Sequence, residues 1–173
     1  MENYEIINYN WIVECEFGGD TQAYREGKKF YIDWSDYDRY VKEYCFRMNN
    51  KGYVMYSSIK DGLNNKRLHR VIMNCPEDMV VDHINHDKLN NCRSNLRICT
   101  NQQNLMNVSK YKSNKSGVSG VCWFKPSEKW QAYIRLNNKL IHLGYFDNFE
   151  EASRVRKEAE IKYFGEYRNK ENE

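Results

Sequence analysis

Apolar and polar side chains alternate through the first part of the chain, in YEIINYNWIVECEF (residues 4–17) and again in KKFYID (28–33). Alternation with a period of two predicts short antiparallel strands that cover one face. Ser35 opens SDYDRYVKEY with an acid, Asp36, in the first turn, which predicts a short helix. YCFRM and YVMYSS flank Asn49-Asn50-Lys51-Gly52, a hairpin turn. LHRVIMN (68–74) predicts a short helix that Pro76 stops. VVDHI (80–84) and LRICT (96–100) read as strands around the polar loop NHDKLNNCRSN, and NQQNLMN (101–107) as a helix start. YKSNKSG (111–117) has the composition of a linker. GVCWF, KWQAYIRL and KLIHLGYF then predict three strands, turned by Lys125-Pro126-Ser127-Glu128 and Asn137-Asn138. In NFEEASRVRKEAEIKYFG, Asn148 and Glu151 have the spacing of a capping box. Ala152, Val155, Ala159 and Tyr163 recur at helical spacing, and Gly165 suits the helix end.

The expected fold class is therefore α+β. A small mixed N-terminal region (1–66) supports or docks, and a strand–loop–strand–helix unit follows (67–110). A linker (111–116) leads to a three-stranded antiparallel sheet with one helix (117–168).

Composition sharpens this picture. Mean hydropathy is −0.92, too polar for one tight core throughout. No stretch approaches the roughly 18 apolar residues of a membrane helix, and MENYEIINYN lacks the basic start and apolar core of a signal peptide. A soluble, cytoplasmic protein is expected, with no membrane partner. The six cysteines (15, 45, 75, 92, 99, 122) include no C-x-x-C pair, so reduced structural thiols are expected rather than zinc or disulfides. The net charge of +3 hides an uneven distribution. Residues 1–66 carry −2, residues 67–110 carry +2, and residues 111–173 carry +3. Within 110–139, seven basic residues (Lys110, Lys112, Lys115, Lys125, Lys129, Arg135, Lys139) face one acid, Glu128, the electrostatic footprint of a nucleic-acid binder.

The chemistry concentrates in residues 80–107. Asp82-His83 lies at the end of a predicted strand, Asn95-Leu96 opens the next, and Asn104 lies in the helix, 12 and 21 residues after His83 for the two asparagines. Neighbours on a strand point to opposite faces, so one site can use both Asp82 and His83 only if the strand ends or bends there. This pattern, with LHRVI before it and CTNQQNLMN after it, resembles the HNH nuclease motif. That motif is the ββα-metal finger of many homing endonucleases, particularly the phage branch, and of some restriction enzymes. The resemblance covers about 67–108 and implies roles. His83 is the general base, its ordinary pKa of about 6.5 being near working pH. Asp82 and Asn104 hold one divalent cation through oxygen, magnesium or manganese rather than zinc or nickel. Asn95 braces the loop and fixes the His83 ring, and Arg97 contacts a phosphate. Many family members have His where Asn104 stands, so loose metal binding that tightens with substrate is expected. His69 is expected to pack or touch phosphate, and His86 to stay outside the site.

The run SGVSGVCWF…KWQAYIRL…IHLGYFDNFEEASRVRKEAEIKYFG, through Leu143-Gly144, Phe146-Asp147 and Glu150-Glu151-Ala152, resembles the plant APETALA/ethylene-response-factor DNA-binding domain. Alternation turns Trp130, Ala132, Ile134, Ile141 and Leu143 under the helix and Gln131, Tyr133, Arg135, Leu140 and His142 outward. The resemblance implies that the outward face reads duplex DNA, with Arg135 first for a base contact, Lys125, Lys129 and Lys139 on phosphates, and Tyr133 and His142 beside them. Cys122 and Tyr133 replace charged residues of the plant domains, so no bound sequence follows. Trp123 and Trp130 are expected in the core.

The expectation is a site-specific, homing-type DNA endonuclease acting on double-stranded DNA with one Mg2+ or Mn2+ per site, as a monomer or a dimer. The Asn-rich, Ala-poor composition (21 against 4) suits an AT-rich genome such as a phage's. The alternatives are a DNA-binding regulator with a degenerate finger, a restriction-type nuclease, and an RNA-binding or structural phage protein.

Overall fold

A computed structural model describes residues 4–6, 12–17, 26–40, 46–58, 62–109 and 114–169. Cys45, Lys110, Lys112, most of the signal-peptide window and part of the predicted linker lie outside these residues. The chain parts into two compact units, residues 1–100 and 101–173. The fold is α+β, with several small sheets and few helices.

In the first unit β1 (Tyr4–Ile6), β2 (Ile12–Glu16) and β3 (Lys29–Asp33) form an antiparallel sheet in that order. Val13 faces Ile32 and Cys15 faces Phe30 in register, all four buried, while Glu16 stays exposed. The alternation read from the sequence thus becomes one covered face. Helix α1 (Trp34–Tyr40) follows directly. β4 (Arg47–Met48), β5 (Val54–Ser58) and β6 (Leu63–Arg67) form a second antiparallel sheet. The β4–β5 turn is closed by Asn49, whose Oδ1 accepts from the backbone N–H of Lys51 and of Tyr53, each at 3.0 Å. Gly52 takes φ +82°, which a side chain would resist.

Helix α2 (Leu68–Ile72) is short. Asn74 turns left-handed at φ 46°, and Arg70 Nη1 and Nη2 donate to the carbonyls of Met79 (2.7 Å) and Pro76 (2.8 Å), pinning the chain that follows. β7 (Val80–His83) and β8 (Leu96–Cys99) pair antiparallel. Leu68, Ile72, Val81 and Leu96 join Val13, Phe30, Ile32, Phe46 and Tyr56 in one continuous core. Tilted aromatic pairs run through it, Phe17 to Phe30 at 5.2 Å and Phe30 to Phe46 at 5.1 Å. The N-terminal sheets therefore do more than sit beside the finger. They complete a core that two four-residue strands are too short to build.

The second unit begins with α3 (Asn101–Asn104). β9 (Val121–Phe124), β10 (Lys129–Leu136) and β11 (Lys139–Phe146) form an antiparallel sheet with β10 in the centre, covered by α4 (Phe149–Phe164). Asn148 Oδ1 accepts from the Glu151 backbone N–H at 3.0 Å, the capping contact its spacing predicted. The core is small: Val121, Ala132 and Ala152, with Trp130, Leu143, Phe146 and Phe149 packed around them. Trp123 departs from expectation. It sits on edge strand β9 and stays 47% exposed, its ring edge-on to Trp130 at 5.4 Å, because the helix lies mainly over β10 and β11. The β10–β11 register shifts between Ala132 and Tyr133, a bulge that places Leu143 and Gly144 opposite one residue. Strict alternation from Leu143 would put Tyr145 under the helix. The bulge instead sends Phe146 inward and leaves Tyr145 exposed against His142, 4.6 Å away.

Gly120 carries a sharp prediction. At φ +74°, a Cβ there would lie 2.3 Å from the Tyr133 carbonyl oxygen and 2.5 Å from Arg156 Nε. Gly120→Ala is expected to cost at least about 2 kcal/mol, from left-handed strain and backbone collision together. An unchanged urea midpoint would show that the turn relaxes freely.

Among the described residues no helix is long and apolar enough to cross a membrane. Cys15, Cys75, Cys92, Cys99 and Cys122 are free thiols, and burial pushes Cys15 and Cys92 up to about 12.

Candidate active site

The loop between β7 and β8 is built from short amide and carboxylate side chains that satisfy its backbone. Asn85 Oδ1 accepts from the Asp87 N–H, Asp87 Oδ1 from the Leu89 N–H (both 2.9 Å), and Asn90 Oδ1 from the Cys92 N–H at 3.2 Å. Such turns explain a loop rich in Asn and Asp. Asn95 spans it: its Oδ1 accepts from the Asn85 N–H at 3.0 Å and its Nδ2 donates to the Asn90 carbonyl at 2.9 Å. The edge of β3 holds the far side. The Tyr31 N–H donates to the Leu89 carbonyl, and the Asn91 N–H to the Tyr31 carbonyl, each at 2.8 Å. Arg93 locks the end of the loop, donating from Nε and Nη2 to both oxygens of buried Asp36 at 2.7 Å and from Nη2 to the Ile72 carbonyl at 3.0 Å.

On this frame β7 ends at His83, and Asp82 and His83 take opposite sides of the strand. Both are buried, at 7% and 5% exposure. Asp82 faces Arg97 directly across the β7–β8 ladder. Its Oδ2 accepts from Arg97 Nε at 2.9 Å and Nη2 at 2.7 Å. Arg97 therefore engages the carboxylate rather than standing clear of it. His83 faces an aromatic pocket: the His69 ring meets it edge-on at 4.8 Å, and Tyr53 lies 6.0 Å away. Burial holds the His83 imidazole below its ordinary pKa, while hydrogen bonding to the Asn91 side chain and the charges of Asp82 and Asp87 pull the other way. His86 sits in the turn that follows, its N–H donating to the His83 carbonyl at 3.0 Å.

His69 is packed, as its place in LHRVI implied. Its Nδ1 is buried without a hydrogen-bond partner, and burial, then the charges of His83, Arg67 and Arg70, push its pKa down to about 3. The unfolded chain therefore binds a proton between pH 6.5 and about 3 that the folded chain does not. Stability is full above that window and falls as the pH drops into it, by at most about 1.4 kcal/mol per unit for this one group. The urea midpoint should fall between pH 7 and pH 5, and the fall should be shallower in His69→Gln. Equal falls in the two proteins would mean that His69 is protonated in the fold.

The remaining predicted residues occupy the second unit. Asn104 closes α3. Tyr133 and His142 are register partners in the β10–β11 ladder, as are Arg135 and Leu140. Lys125, in the turn after β9, and Lys139, the first residue of β11, are exposed, whereas Lys129 pairs with Asp147 at 3.0 Å. Among the described residues no group of three or more His, Cys, Asp and Glu side chains could hold a metal ion.

Sequence reasoning missed three neighbours of His83. Asn91 is completely buried, and its Nδ2 donates to the Leu89 carbonyl at 3.1 Å. Nothing distinguishes it from other loop asparagines until β3 covers it. Tyr53 and Lys88 come from separate turns that only the packed core unites.

Residues 66–106 match the model of the HNH endonuclease family. The chain is 33% identical over 134 residues to an uncharacterized HNH endonuclease of Acanthamoeba polyphaga mimivirus, covering 73% of this chain and 66% of that protein. It is 34% identical over 64 residues to Protein 3.8 of Escherichia phage T7, covering 37% of this chain and 53% of that protein. The chain thus spans somewhat under two thirds of the first relative's length and about half of the second's. No solved structure matches it. The strand, braced loop and second strand that carry Asp82, His83 and Asn95 lie inside the matched segment, which is an HNH endonuclease domain.

Proposed function

We propose that the chain is a site-specific, homing-type DNA endonuclease that hydrolyses a phosphodiester with His83 as general base. The observation that carries this reading is the buried His83 ring at the end of β7, kept neutral by its surroundings and oriented by a braced loop. A neutral imidazole can take a proton from the attacking water, and a fixed ring loses no orientation at that step. Asn95 holds the loop in place. Arg97 moves from Asp82 toward the phosphate as substrate arrives. Asp82 and, by motif position, Asn104 are the oxygen ligands proposed for one Mg2+ or Mn2+. Such a cation supplies stabilisation of the negative charge that develops on the phosphate and leaving oxygen.

The APETALA-like reading of residues 117–168 gives the enzyme its grip on duplex DNA. Its support is a three-stranded antiparallel sheet whose two longer strands carry Tyr133, Arg135 and His142. A sheet of this kind can enter the major groove. Exposed Lys125 and Lys139 are the residues proposed to meet phosphates, and Lys129 must first exchange Asp147 for one.

The test is digestion of phage and plasmid DNA with Mg2+ or with chelator, followed by sequencing of the ends on both strands. Cuts at one recurring site that need the metal are expected. Absence of cutting would favour a DNA-binding regulator, which the engagement of Asp82 by Arg97 independently suggests.

A further inference from the structure

We propose that Arg67 and Lys88, both held against the Tyr53 ring beside His83, clamp a backbone phosphate of duplex DNA flanking the one that is cut. This rests on the endonuclease reading and assigns that site a second phosphate position. Tyr53 follows the β4–β5 turn, and its ring lies 5.2 Å from His69 and 6.0 Å from His83. The Arg67 guanidinium and the Lys88 ammonium each sit 4.8 Å from the centre of that same ring, inside cation–π range. They arrive from different elements, Arg67 from the end of β6 and Lys88 from the loop after His83. Lys88 is also pinned at its tip, where Nζ donates to the Lys51 carbonyl at 2.9 Å.

Two further facts point to an anion. Among the described residues, neither Arg67 nor Lys88 is in an ion pair with a carboxylate, unlike Arg93 and Arg97 nearby. Both side chains are exposed, although one aromatic ring orders them. Two like charges converging on one ring repel each other, and a phosphate between or beside them removes that cost. An ordered cation also loses less conformational entropy when it binds. Phosphate contacts of this kind set the register of the strand against the attacking group, which is what a base fixed at His83 requires.

The experiment measures anisotropy of a labelled cleavable duplex in chelator across a salt series, for wild type, Lys88→Gln, Arg67→Gln/Lys88→Gln and Lys88→Arg. The double variant should bind about tenfold more weakly at low salt and lose about 1 from the slope of log affinity against log salt. Lys88→Gln should lose part of this, and Lys88→Arg should keep the wild-type slope. Melting curves confirm that the variants fold, and the exposed Lys88 single variant guards against collapse of the double one. An unchanged slope in a folded double variant overturns the clamp. So does an equal loss of binding to a single-stranded oligonucleotide, which would mark a general anion site. The slope is read without cleavage, so wild type failing to cut under Mg2+ would sink the nuclease reading and leave a changed slope still supporting the clamp.

Discussion

His83→Ala is expected to lower the rate of DNA cleavage about a thousandfold while leaving duplex affinity within a factor of two. General-base catalysis by a positioned side chain contributes on this order, and nothing in the arrangement gives the imidazole a second task in binding. His83 is buried, its ring 6.0 Å from Tyr53 and 4.8 Å from His69, and its backbone carbonyl accepts from the His86 N–H. Truncation opens a space beside His69, and some loss of stability will accompany it. His83→Gln keeps most of the volume and serves as the second variant: it should fold like wild type and still fail to cut. Gel assays of plasmid nicking with Mg2+ decide the matter. Nicking by either variant at the wild-type rate would remove His83 from the mechanism.

The largest effect on stability should come from Arg93→Ala, at about 3 kcal/mol. Asp36 keeps only 3% of its side chain exposed, and Arg93 supplies contacts to both of its oxygens. Removing the arginine leaves a buried carboxylate without its partner, a change that typically costs 3–5 kcal/mol, about the lower end being appropriate because Arg93 itself is half exposed. The same substitution frees the Ile72 carbonyl and loosens the end of the loop that carries Asn91 and Asn95. Urea unfolding should show the shift, and Asp36→Ala made together with Arg93→Ala should recover part of it, since the orphaned charge is then gone. Additive losses in the double variant would mean that the two residues do not act as a pair.

The elements were largely legible because each rests on local chemistry. The alternation in IVECE and KFYID set the face of the first sheet, Asn49 and Gly52 closed the hairpin, and Asn148 capped the last helix through its own side chain. The motif spacing located Asp82, His83 and Asn95 within one strand–loop–strand. The Trp123 expectation failed for a reason that sequence does not carry. Whether an inward residue is covered depends on how far the helix reaches across the sheet, and edge strand β9 lies at its margin. The phase of β11 likewise turns on a bulge at Gly144, which no pattern of polarity announces.

What the sequence by itself determined is the HNH-type motif and the local elements, because a side-chain type, a spacing and a turn residue act over a few positions. Tertiary structure decided which distant groups meet. Only the β7–β8 register puts Arg97 on Asp82, and only the edge of β3 buries Asn91 against the loop. Only the shared core brings Tyr53, His69 and Lys88 to His83, from positions 30, 14 and 5 residues away along the chain. Those neighbours control the charge state of the imidazole and the cations around it, because desolvation and Coulomb forces act through space rather than along the chain.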